Sequence, residues 1–133
     1  FEKIALTKDS VIANKEIWVN TSEAEIQPAL SPAYEISKRL IGQFISIKWA
    51  SQNQEERSML KIRKLILGPF RSKLNPIGIM TSDFVASQIM NQVNLEFKLI
   101  IVTPNPLTYL LIPINEAIRS IYFNLIKTVS CLN

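Results

Sequence analysis

Residues 59–76, MLKIRKLILGPFRSKLNP, decide how this chain is read. Large apolar residues are interleaved with bases until Gly68-Pro69 breaks the run. From Arg57 to Lys73 there are six Lys or Arg and no acid. Laid on a helix at about 100° per residue, Met59, Ile62, Leu65 and Ile66 share one side. Arg57, Lys61 and Lys64 share the opposite side, Leu60 and Leu67 flank them, and Arg63 stands apart. Just upstream, Asn53 can cap a helix, Glu56 completes a capping box, and Glu55 and Glu56 would sit at the positive end of the dipole. These signals predict a helix over 54–67, stopped by Gly68-Pro69.

Such a helix would turn its oily face to a core and three like charges outward. Like charges one turn apart repel by only roughly 0.2–0.5 kcal/mol, so a solvated face explains them without any function. The functional alternative is an anion-binding ridge of Arg57, Lys61 and Lys64, extended by Arg71 and Lys73. Phe70, in the turn, would then stack on an unpaired base or enter a lipid headgroup layer. Its plainer alternative is to fold back into the core.

The charge distribution around this stretch is uneven. The net charge of +4 arises from three bases and six acids in residues 1–35, nine bases and two acids in 36–73, and three of each in 74–133. Such asymmetry suits an anionic partner, or self-association of unlike ends into a homo-oligomer.

Working outward, short strands are expected between residues 4 and 19, where Ile4, Leu6, Val11, Ile12, Ile17, Trp18 and Val19 are separated by turn-prone spacers. Ser31-Pro32 opens a helix over about 32–50, with Ile36, Leu40, Phe44 and Ile47 at helical spacing. Its tail, Ile45, Ile47 and Trp49 alternating with polar residues, also reads as strand. Thr81-Ser82-Asp83 begins a helix over 82–93. Residues 95–112 read as an antiparallel hairpin turning at Thr103-Pro104-Asn105-Pro106. A last helix over 115–130 carries a stripe of Ile118, Ile121, Tyr122, Leu125, Ile126 and Val129. The uncharged run 99–114 is too short, and too rich in proline, to span a membrane.

At 133 residues and 47% apolar, these elements make one α+β domain over 1–133, an antiparallel sheet packed against about four helices. The chain begins with Phe1 rather than Met, which reads as a processed or trimmed fragment. The single cysteine, Cys131, permits no internal disulfide and points to a reducing, intracellular compartment. Asn20-Thr21-Ser22 fits a glycosylation triplet that often occurs by chance.

Chemistry-bearing residue types are scarce. Histidine is absent, and three glycines cannot build a phosphate-cradling loop. Glu23 with Glu25, and Glu55 with Glu56, read as solvated surface rather than acid–base pairs. Cys131 has no imidazole to activate it. Neither a catalytic residue, nor a metal ligand set, nor a cofactor is expected.

The function these features suggest is a non-enzymatic interaction or assembly module, in composition like a viral matrix-type structural protein. Its basic surface would meet an acidic protein, an anionic membrane or a phosphate backbone, and membrane association would follow from the second of these. A dedicated nucleic-acid-binding domain is the alternative, and an enzyme subunit a more remote one.

Overall fold

The computed structural model describes residues 15–73 and 75–130. Strand β1 is Lys15–Ser22, followed by a 3-10 turn at Glu23–Glu25 and helix α1, Pro32–Ser51. Helix α2, Gln54–Met59, runs directly into strand β2, Leu60–Leu67. Helix α3 is Ser82–Asn94, strand β3 Leu99–Val102 and helix α4 Pro106–Ser130. The expected strand region below residue 15 lies outside the described residues.

The sheet has order β1-β2-β3 and is parallel throughout. This corrects two expectations. The capping box at Asn53 and Glu56 forms, but the helix it starts lasts only to Met59, and 60–67 is the central strand. A parallel strand covered on both faces loses the alternation that marks a half-buried one, so its apolar run imitates a helix. The antiparallel hairpin over 95–112 does not form either. Only 99–102 is strand, and the turn after it leads into α4. Asn105 accepts from the Leu107 amide at 3.1 Å and Pro106 takes the first helical position, as a helix start requires. The helix then continues through Pro113, so it starts well before the expected residue 115, within the stretch read as the second strand of the hairpin.

Pleating sends neighbouring residues of β2 to opposite faces. Leu65 and Leu67, with Ile100 and Val102 of β3, pack under Val85, Ile89 and Val93 of α3. Ile66 and Ile101 pack on the other face against Ile112 of α4. Burying each such side chain contributes about 1.5–3 kcal/mol. The outer edge of β3 is occupied by a side chain rather than a strand. The Gln92 amide donates to the Ile101 carbonyl at 2.8 Å and accepts its N–H at 3.1 Å. That satisfies an edge that would otherwise invite pairing.

Helices α1 and α4 lie side by side on the Ile66 face. The stripes read from their sequences do form, but they face away from the sheet. Ile36, Leu40, Phe44 and Ile47 of α1 are exposed, as are Ile118, Ile121, Tyr122 and Leu125 of α4. What faces inward instead is Gly42, Ile45 and Ser46 from α1, and Ile112, Glu116 and Arg119 from α4. Among the described residues, no helix is long and apolar enough to cross a membrane.

Candidate functional site

In open parallel sheets ligands gather where the strands end at their carboxyl edge. Here β1 ends in Thr21-Ser22, β2 in Leu67-Gly68 and β3 in Val102-Thr103. Glu23, just past β1, is the hub of that edge. The Thr103 hydroxyl donates to it, the Thr108 hydroxyl does so at 3.0 Å, and the Gln27 amide donates to Thr108 at 3.5 Å. Gly68 is needed for this approach, since a Cβ there would lie 2.6 Å from the Thr103 hydroxyl oxygen.

Beside this hub a cleft of about 550 Å³ opens between the ends of β1 and β2 and the start of α1. Asn20, Ser22, Glu23, Gln27, Ser72 and Asn75 give it hydroxyl, amide and carboxylate groups, and Tyr34 and Phe70 give it aromatic rings. Lys38 also lines it, donating to the Asn20 carbonyl at 3.2 Å with its ammonium 5.4 Å from the Tyr34 ring centre. A few polar groups beside flat apolar rings suit a neutral, polyhydroxylated ligand. Among the described residues, no group of three acidic, Cys or His side chains is placed to hold a metal.

Two residues past Glu23, Glu25 enters a buried ion cluster. Lys64, with 0% of its side chain exposed, donates to Glu25 at 2.7 Å, Glu116 at 2.8 Å and the Gly42 carbonyl at 3.2 Å. Arg119 lies 3.3 Å from Glu116 and 3.7 Å from Glu25, and the Ser46 hydroxyl donates to Glu116 at 2.7 Å. Two cations and two anions balance, which makes burial of four charges tolerable. Gly42 leaves room for this packing, because an added Cβ would meet Glu25 Oε2 at 2.0 Å. The cluster ties β2, α1, α4 and the 3-10 turn together, two residues from Glu23. Glu116 and Ser46 also line a second cleft of about 400 Å³, with Trp49, Arg57 and Asn124, away from the strand ends.

A second ion cluster occupies the opposite face of β2. Arg63 holds Glu16 through two bonds, 3.1 and 3.0 Å, and donates to the Phe97 carbonyl at 2.6 Å. Glu96 reaches Arg63 at 3.3 Å and also pairs with Lys61. Glu96 adopts φ 63° just after α3, where glycine is usual. The Arg63 bonds, the Trp18 indole bond and the charges of Arg63 and Lys61 hold Glu16 down to about 2 against the cost of burial.

The expected basic ridge does not exist. Arg57 lies on α2 and donates to the Trp49 carbonyl at 3.3 Å. Lys61 is paired with Glu16 and Glu96, and Lys64 is sealed inside and neutralised. Arg71 and Lys73 are exposed in the loop after β2, and Phe70 packs partly buried against the Leu65 core. Of these side chains, Arg71 and Lys73 lie together in one exposed loop, while Lys61 and Lys64 are held by carboxylates. Glu25, read as solvated, is buried. Glu23, Thr103, Thr108, Glu116 and Arg119 went unnoticed as a group. The sequence signal available for them was a carboxylate or threonine after β1 and after β3, and two charges inside an apolar helix.

No family model matches the chain, and no solved structure matches it. It is 52% identical over 112 residues, 84% of its length, to a protein of Synechocystis sp. named monoglucosyldiacylglycerol epimerase. The chain spans about a quarter, 26%, of that relative. A relative named as an enzyme of lipid metabolism overturns the non-enzymatic, viral matrix-type reading and the nucleic-acid-binding alternative.

Proposed function

We propose that this chain is a segment of an enzyme that inverts a stereocentre in the sugar of a glycosyl diacylglycerol, and that the cleft at the carboxyl edge of its sheet receives the sugar head group. The observation that carries this reading is the 52% identity over 84% of the chain to a protein with that activity in its name. The cleft supports it. A hexose presents hydroxyls that the Asn20, Gln27 and Asn75 amides and the Glu23 carboxylate can meet, and a C–H face that Tyr34 or Phe70 can cover. Glu23 already accepts two hydroxyl donors, so a third from the sugar completes an acceptor site. In this reading Glu23 and Tyr34 bind and orient the head group.

The test uses the full-length protein containing this chain, with monoglucosyldiacylglycerol dispersed in detergent. The released head group is examined by NMR for inversion at one carbon. Conversion by the wild type, and a KM raised roughly tenfold or more by Glu23→Gln or Tyr34→Ala, is expected, since a hydrogen bond to a charged group contributes about 1.5–3 kcal/mol. Unchanged substrate after incubation with folded wild-type protein contradicts the reading.

A further inference from the structure

Helices facing water carry charge on their outer side. The outer layer of this molecule does not. Among the exposed residues of α1 and α4 that the structure describes, Lys127 is the only charged one. The half-buried charges of α1, Glu35, Lys38, Arg39 and Lys48, lie off its apolar stripe, and those of α4, Glu116 and Arg119, point into the buried cluster. What the two helices present outward is Leu40, Phe44, Leu110, Ile114, Ile118 and Leu125, among others of the same kind. An apolar surface of this extent marks a place where something other than water belongs.

We propose that this α1/α4 layer lies on the surface of a lipid bilayer, with its apolar face in the headgroup–acyl boundary. The inference rests on the reading of the substrate as a glycosyl diacylglycerol and locates where that lipid is met. Three features favour a bilayer over another macromolecule as the occupant. The face carries no acid among its described exposed residues, and a bilayer with anionic lipids accepts such a face while repelling acids. Two tyrosines stand on it or at its margin: Tyr34 at the start of α1 and Tyr122 on α4, each about half exposed. Tyrosine, apolar with a polar tip, favours the level of lipid head groups. The face also borders the cleft, because Leu30 and Tyr34 line the cleft and Ile41, two turns along α1 on the side of Tyr34, is exposed next to Phe44 of the stripe. A lipid whose sugar sits in the cleft can thus leave its acyl chains on the α1 side, without leaving the bilayer. Neither helix needs to span the membrane for this; each lies along it.

The experiment is flotation of the full-length protein with vesicles of phosphatidylcholine containing phosphatidylglycerol. The wild type is expected to float. The pair Leu40→Asp with Ile118→Asp is expected to cut the floating fraction by about tenfold, while Phe84→Asp, exposed on α3 across the sheet, floats like the wild type. In parallel, Ile118→Cys on a background lacking native cysteines is treated with a maleimide. It should react freely without vesicles and be shielded with them. Shielding without vesicles, a wild type that stays with the lipid-free fraction, or a dimer that dissociates with Leu40→Asp and Ile118→Asp would each overturn the proposal, the first and last because protein then covers the face. The two readings fail separately. Turnover of detergent-dispersed substrate by a protein that does not float defeats this inference alone, and flotation without turnover defeats the enzymatic reading.

Discussion

Arg63 and Lys64 are neighbours in sequence and opposites in fate. Both are almost fully buried, at 1% and 0% side-chain exposure, and both hold two carboxylates. Arg63 faces α3 and its partners sit near water: Glu16 and Glu96 side chains are 33% and 70% exposed. Lys64 faces α1 and α4, and its partners Glu25 and Glu116 are 0% and 13% exposed. Removing one cation leaves anions that solvent can reach. Removing the other leaves anions that it cannot. The difference teaches that the cost of a buried charge is set by where its partners lie, not by the charge itself.

The largest effect should therefore come from Lys64→Ala. It strands Glu25 and Glu116 with only Arg119 beside them, and should destabilise by about 3–5 kcal/mol in urea unfolding. A cost below about 1 kcal/mol would break the comparison. Next comes Gly42→Ala, which drives a methyl into the Glu25 carboxylate and should cost about 1–3 kcal/mol by forcing that group to move. Lys64→Met combined with Glu25→Leu should recover stability relative to Lys64→Ala, because a matched apolar pair leaves fewer buried charges alone. Arg63→Ala should cost less than Lys64→Ala, since its freed carboxylates hydrate. If it costs as much, solvent access is not what separates the two sites.

The smallest effect is a pH dependence at Glu16. Its folded pKa, about 2, is below the ordinary 4.5, so its contribution is fully present above that ordinary value and fades as pH falls toward 2. Being a third exposed, it should contribute under about 1 kcal/mol. Glu16→Gln should flatten the stability curve between those pH values. An unchanged curve would show that Arg63 gains nothing from Glu16 in solution.

The same pair of residues explains what the sequence reveals. Caps are local chemistry, so Ser31-Pro32, Asn53 with Glu56, and Thr81 mark real helix starts. The identity of β2 is not local. Leu60–Leu67 is a strand because β1 and β3 supply its backbone partners from either side. On a helical wheel, Lys61 and Lys64 fall together. On a strand they fall on opposite faces, and the ridge dissolves. The acids that neutralise them lie at positions 16, 25, 96 and 116, far off in sequence, and no spacing within one segment points to them. The apolar stripes of α1 and α4 are legible by period, but period does not say whether a stripe faces the sheet or leaves it. Glu23, Thr103 and Thr108 become one site only once three strand ends are brought side by side.

Lysine labelling of the native protein, read by mass spectrometry under conditions far from unfolding, tests the placement of β2 most directly. Lys64 should stay unmodified while exposed Lys73 reacts, and should react only when the whole domain opens. Modification of Lys64 at the rate of Lys73 would place it on a surface, and the parallel sheet with its sealed charges could not stand.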